Sequence, residues 1–177
     1  MSGRQAGQSL IELAIATPVL LLMLLSAFDV TVMVSDKVIA GYAARQGARL
    51  AAEIGGAQTN PSLTTAQIDA DIVKNVLAVA TAMNYSTLLE IDVYRPSQSN
   101  GQVTDGNHIN AYNPAAQPIS GEFGGPPFPI SERNQMPPGE TSIGIRVVWQ
   151  YNPPTSFATF SIRLSEYAVM KASPVLL

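Results

Sequence analysis

Apolar positions obey different rules in different parts of this chain. From Leu10 to Val34 they are nearly continuous, and the sixteen residues from Leu13 to Phe28 carry no charge. A helix apolar on every face needs lipid or a large core around it, and the rest of a 177-residue chain is too small to supply that core. At about 1.5 Å per residue the stretch reaches roughly 37 Å, enough for a hydrocarbon layer of about 30 Å. Helical spacing then continues through Ile39, Tyr42, Ala43, Gln46 and Leu50 until Gly55-Gly56 interrupts it. One helix over 8–55 is predicted, with a transmembrane part at 10–34 and an amphipathic remainder.

Downstream the pattern changes twice. Thr64 and Gln67 form a capping box, and Ile68, Ile72, Val76, Val79 and Met83 make one apolar stripe, which predicts a second helix with Asp69, Asp71 and Lys74 on its wet side. Period-two alternation follows in three runs: Leu89, Ile91, Val93; then Ile143, Ile145, Val147, Trp149, Tyr151; then Phe160, Ile162, Leu164. Three mostly antiparallel strands laid against two helices bury all these faces, so the expected fold class is α+β, with 56–177 as one domain outside the membrane.

Between the first two strand runs lie residues 96–140, which hold eight of the thirteen prolines and six of the thirteen glycines. An insertion of that length in a small domain is a working loop or a flap. Within it Phe123, Phe128 and Ile130 are apolar residues in polar surroundings. They are either a contact surface, where neighbouring prolines lower the entropy lost on binding, or pins that hold the loop to its own sheet.

Charge and composition narrow the chemistry. A net charge of −3 with ten scattered Lys and Arg gives no basic field for phosphates, so no nucleic-acid partner is expected. With no cysteine and a single histidine, thiolate metal sites and most His-based catalysis are excluded. His108 lies in the turn-rich TDGNHINAYN and reads as a loop residue; Asp105, Asn107 and Asn110 suit Asx-turns better than a calcium loop, which needs more acidic ligands and a closing glutamate. No catalytic group, cofactor or metal is expected, and the chain reads as a non-enzyme.

Glu12 and Pro18 fit a purely apolar account poorly. An ionised carboxylate at the mouth of a span costs several kcal/mol unless it reaches water at the headgroups or finds a positive partner. Pro18 leaves the Ala14 carbonyl without its intrahelical donor and favours a bend. A cleaved secretory signal is a poor match, since only Arg4 is basic before the run and no A-x-A site follows it.

The stretch GQSLIEL, from Gly7 to Leu13, resembles the processing site of type IV prepilins. More narrowly, GQSLIELAIATPVLLLMLL with Pro18, then AARQGARLAA from Ala43 to Ala52 and LSEYAVMKASP from Leu164 to Pro174, resembles the TadE-like pilus-assembly pseudopilins. That resemblance implies a leader at 1–7, a cut between Gly7 and Gln8 by a prepilin peptidase, and Glu12 as fifth residue of the mature chain. There it would pair with the free N-terminal amine of a neighbouring subunit. It further implies a minor component of a Tad/Flp pilus system, with a pilin-like fold and other pilin-like subunits and the pilus platform as partners. The implied location is the bacterial cytoplasmic (inner) membrane, single-pass, with the C-terminal domain extracytoplasmic and the protein either at the filament base or in the pilus. This orientation comes from the resemblance alone, because Arg4 is outnumbered by Lys37, Arg45 and Arg49 across the span. The alternative is a membrane-anchored adhesive or ligand-binding exoprotein that works through loop 96–140.

Overall fold

A computed structural model describes residues 3–56, 62–97, 100–136, 139–155 and 161–173. The first element is α1, Gly3–Ile54, unbroken through Pro18. Its 52 residues make a rod of about 78 Å. It ends where Gly55 begins; the last carbonyls are taken up by the Gly55 amide on Ala51 and by the Gln135 side chain, which donates to Ala52 and Glu53. Helix α2, Thr65–Ala80, starts at the capping box of Thr64 and Gln67.

The sheet has five strands where three are predicted. β1 (Ser86–Tyr94), β2 (Ile109–Tyr112), β3 (Pro118–Ile119), β4 (Ser142–Tyr151) and β5 (Ile162–Lys171) lie in the order β3-β2-β1-β4-β5, all antiparallel. The two additional strands come out of the Pro- and Gly-rich segment 96–140, which also forms a 3-10 turn at Ile130–Glu132. Four residues of INAY among turn formers carry too little alternation to announce a strand; pairing with β1 makes it one.

Both helices cover one face of the sheet. Ile143, Ile145, Val147, Trp149 and Tyr151 of β4 point into the core as the alternation predicts. In β1 the predicted set needs a correction. Leu88 lies opposite Trp149 and Glu90 opposite Val148, so Leu89 is an extra bulged residue, and Leu88 joins the core with Ile91 and Val93. Phe160 lies outside the described residues.

Close approach of α1 is made possible by small residues. Ala40, Ala43, Ala44, Ala48 and Ala51 are fully buried, and a Cβ on Gly47 would stand 2.4 Å from Val76 Cγ2 of α2. Two acidic residues of α1 complete the docking. Asp36 is buried and accepts from the amides of Asn84 and Tyr85, each at 3.3 Å, and from the Ser86 hydroxyl at 2.6 Å. Asp29 accepts from the amide and the hydroxyl of Thr155, and Tyr151 donates to its carbonyl at 2.8 Å.

Asp69 is not on the wet side of α2. It is fully buried and forms a two-point ion pair with Arg133, at 2.5 and 2.9 Å, while Tyr112 and Asn110 donate to Oδ2 at 2.8 Å each. Arg133 also donates to the Phe128 carbonyl at 2.7 Å and lies over the Phe128 ring at 4.7 Å. The loop closes over Asp69 and brings its counter-charge with it, which is what makes burial of the carboxylate tolerable. Burial, with Asp69 alongside, drives the Tyr112 hydroxyl well above its ordinary value. Removing one partner should therefore be worse than removing both. Asp69→Ala or Arg133→Met is expected to lower stability by about 3–5 kcal/mol, and the Asp69→Leu/Arg133→Met double variant to recover at least half of that. Denaturation of the detergent-solubilised chain, followed by near-UV circular dichroism, reads the difference.

Candidate functional site

Two features of the structure bear on function: the exposed length of α1 and the covered outer face of the sheet. The first hydrogen bonds from the described part of the headpiece reach α1 at Asp29, and Leu10–Phe28, 19 residues or about 28 Å, is unburied. Leu10, Ile11, Leu13, Ile15, Val19, Leu20, Leu21, Leu22, Met23, Leu24 and Phe28 are all exposed. By length and composition this helix is able to cross a membrane. The segment from Thr31 to Val34, within the span expected at 10–34, runs beside the headpiece, where Val32 and Met33 pack against the core.

Glu12 lies on the free part, one turn from Gln8, whose amide donates to it at 3.2 Å. Gly7 stands one residue before Gln8 in the same helical run. Pro18 is accommodated without a break, and the Thr17 hydroxyl donates to the Leu13 carbonyl at 2.7 Å one turn back. Beyond Asp29 an apolar line continues along the exposed side of α1. Val30, Val34, Val38 and Tyr42 recur every four residues and are 55%, 48%, 62% and 49% exposed.

The long loop folds back over the sheet. Phe128 is fully buried in the core, Ile130 packs against it, and Phe123 lies half-buried over the Arg146 guanidinium at 4.6 Å. All three hold the loop to its own domain, and Phe128 offers no surface to a partner. His108 is half-buried, with Nδ1 2.7 Å from Glu132 and its ring edge-on to Phe128. Asp105 accepts from the Gly124 amide at 3.2 Å, Asn107 donates to the Arg95 carbonyl, and Asn110 is committed to Asp69 and Phe128.

Beneath the loop lies a charged cluster. Asp92 and Arg146 are direct cross-strand partners, 2.9 Å apart and buried. Arg146 also pairs with Glu122, and Arg163 reaches Glu90 at 3.3 Å and Glu122 at 3.2 Å. Three carboxylates thus share two guanidinium groups. Burial and the adjacent Glu90 push Asp92 from about 3.8 up to about 8, against the pull of Arg146. Its Oδ1 is buried without a donor, the position a shared proton would satisfy.

Residues 7–49 match the family model for TadE-like proteins. Over this segment the chain is similar to TadE-like proteins. Comparison with curated proteins and with solved structures gives no match. The matched segment has two physical halves: up to Phe28 it is unburied, and from Asp29 to Arg49 it is built into the domain by its buried alanines, Gly47 and two aspartates. Its motif-like AARQGARLAA is therefore a packing surface, with Arg45 and Arg49 kept on the exposed side.

Asp69, Arg133, Glu90, Asp92 and Arg146 carry no sequence motif. Opposite charges inside two strands hint at the Asp92–Arg146 pair, but only the register shows that they meet. Because the folded state holds the Asp92 proton more tightly than the unfolded chain does, its contribution to stability is complete below about pH 4 and is lost as pH rises through about 8. Between pH 5 and 8.5 the unmodified protein should lose on the order of a few kcal/mol relative to Asp92→Asn, whose amide cannot ionise. Thermal melts across that range measure this loss.

Proposed function

We propose that this protein is a minor, pilin-like structural component of a Tad/Flp-type pilus assembly system, held by α1 in the bacterial cytoplasmic membrane with its α+β headpiece outside. The observation that carries this reading is the rod itself. A helix that matches the TadE-like model leaves an apolar length unburied and then continues the same apolar character as the line Val30, Val34, Val38 and Tyr42. A lone anchor needs only the first part. A subunit that packs laterally against similar helices uses both.

In this reading a prepilin peptidase cuts between Gly7 and Gln8 and removes 1–7. The new amine lies at Gln8, and Glu12 pairs with the corresponding amine of a neighbour, giving the carboxylate the positive partner that lipid demands. The protein contributes shape and contacts and no catalysis. Use of loop 96–140 as an adhesive surface is not favoured, since Phe128 is buried and Phe123 and Ile130 are half-buried against the domain.

Processing has a direct readout. Purified protein should have the mass of a chain beginning at Gln8, and Gly7→Ala should retain residues 1–7; the full mass in both would count against the cut. Assembly has another. Glu12→Ala should insert normally yet co-purify with pilus components at least about tenfold less, the worth of one ion pair of about 1.4 kcal/mol or more. Undiminished co-purification, or normal pili in a clean deletion, would remove the assembly role.

A further inference from the structure

The foot of the headpiece is apolar where a water-facing surface would be polar. A cleft of about 100 Å³ is lined by Asp29, Val30, Met33, Tyr151, Pro153 and Ile162. Its polar groups are already engaged within the protein: the Tyr151 hydroxyl donates to the Asp29 carbonyl, and the Asp29 carboxylate accepts from Thr155. Among the described residues, what is left for an outside partner is carbon.

Depth decides what that partner is. Nineteen unburied residues give about 28 Å, close to the roughly 30 Å of a hydrocarbon layer, so a bilayer that covers Leu10–Phe28 ends at Asp29 and Val30. Val30 belongs both to the cleft and to the exposed helix side, which makes the cleft continuous with the span. The next Lys or Arg along α1 is Lys37, two turns higher and 3.8 Å from Glu166, so the cleft itself brings no basic group for anionic headgroups.

We propose that the foot of the headpiece, through Val30, Met33, Pro153 and Ile162, is a lipid-contact surface that receives the glycerol-proximal ends of phospholipid acyl chains. The domain then sits on the bilayer instead of standing clear of it. This rests on the reading of Leu10–Phe28 as a membrane span, and the experiment separates the two.

Because the chain has no cysteine, single-cysteine variants take one label each. Full-length Leu20→Cys, Val30→Cys, Pro153→Cys and Met136→Cys carry an environment-sensitive fluorophore in phosphatidylcholine vesicles, with and without lipid brominated near the top of the acyl chain or, for Leu20, near its methyl end. Met136, exposed beside the Gln135 cap at the far end of α1, is the water control. Emission from Val30 and Pro153 should fall at least about twofold with brominated lipid, while Met136 should be unchanged. Quenching at Leu20 with none at Val30 and Pro153 overturns the lipid-contact surface alone. No quenching at Leu20 overturns the span and the proposal together. Probe self-quenching at Pro153 that persists in detergent, without lipid quenching, assigns the cleft to a second copy and also overturns the proposal. Val30 is an exposed helix position, so its variant keeps the fold even where a change at Pro153 disturbs the β4–β5 end.

Discussion

Everything in this molecule depends on α1 being shared between two solvents. One face of its C-terminal half is the centre of the headpiece core, and the apolar residues of its N-terminal half are unburied. The sharing works because the buried part is built from alanine and glycine. Side chains larger than a methyl at Ala44, Gly47, Ala48 or Ala51 would hold the helix off α2 and β4, and Gly47 has no room even for a Cβ beside Val76. Packing of this kind gains contact at close range and loses little side-chain entropy. It also spares the large aliphatic residues for the length that faces outward.

Charge is used in the same economical way on the two sides of the sheet. On the helix side a single ion pair, Asp69 with Arg133, holds the loop across the end of α2, and neutral donors from Tyr112 and Asn110 complete the carboxylate's shell. On the outer side five charged groups share a region covered by Phe123 and the backbone around Glu122. The first cluster is nearly balanced and fixes a position. The second carries one carboxylate more than it has guanidinium groups, so its proton is part of the structure. A Pro- and Gly-rich loop thus becomes a third layer, because it brings its own ionic anchors.

How legible this was in the sequence follows from how local each cause is. The apolar run, the Thr64–Gln67 capping box and the alternation of β4 act between near neighbours, and the structure has them where the pattern puts them. The β2–β3 pair does not, because INAY becomes a strand only when β1 offers its edge. Leu89 misleads for a related reason: an extra residue in a ladder is a property of two strands, and alternation in one cannot reveal it. Asp69 looks like a surface residue by spacing, and its partner lies 64 positions away in a segment without a pattern. At the N-terminus the residues around Gly7 and Glu12 were readable as a motif, whereas the point at which the headpiece meets the helix was not.

That meeting point has a mechanical consequence. Asp29 and Asp36 are seven residues apart, two helical turns or about 10.5 Å, and so lie on the same side of α1. One holds Thr155 and Tyr151 at the foot of the headpiece, and the other the chain between α2 and β1. Two attachments along a rigid rod, added to the alanine face between Ala40 and Ala51, leave the headpiece no independent hinge about the helix. Its orientation is therefore set by the rod, and any lateral packing of Val30, Val34, Val38 and Tyr42 against another helix would fix the spacing and rotation of the headpieces as well.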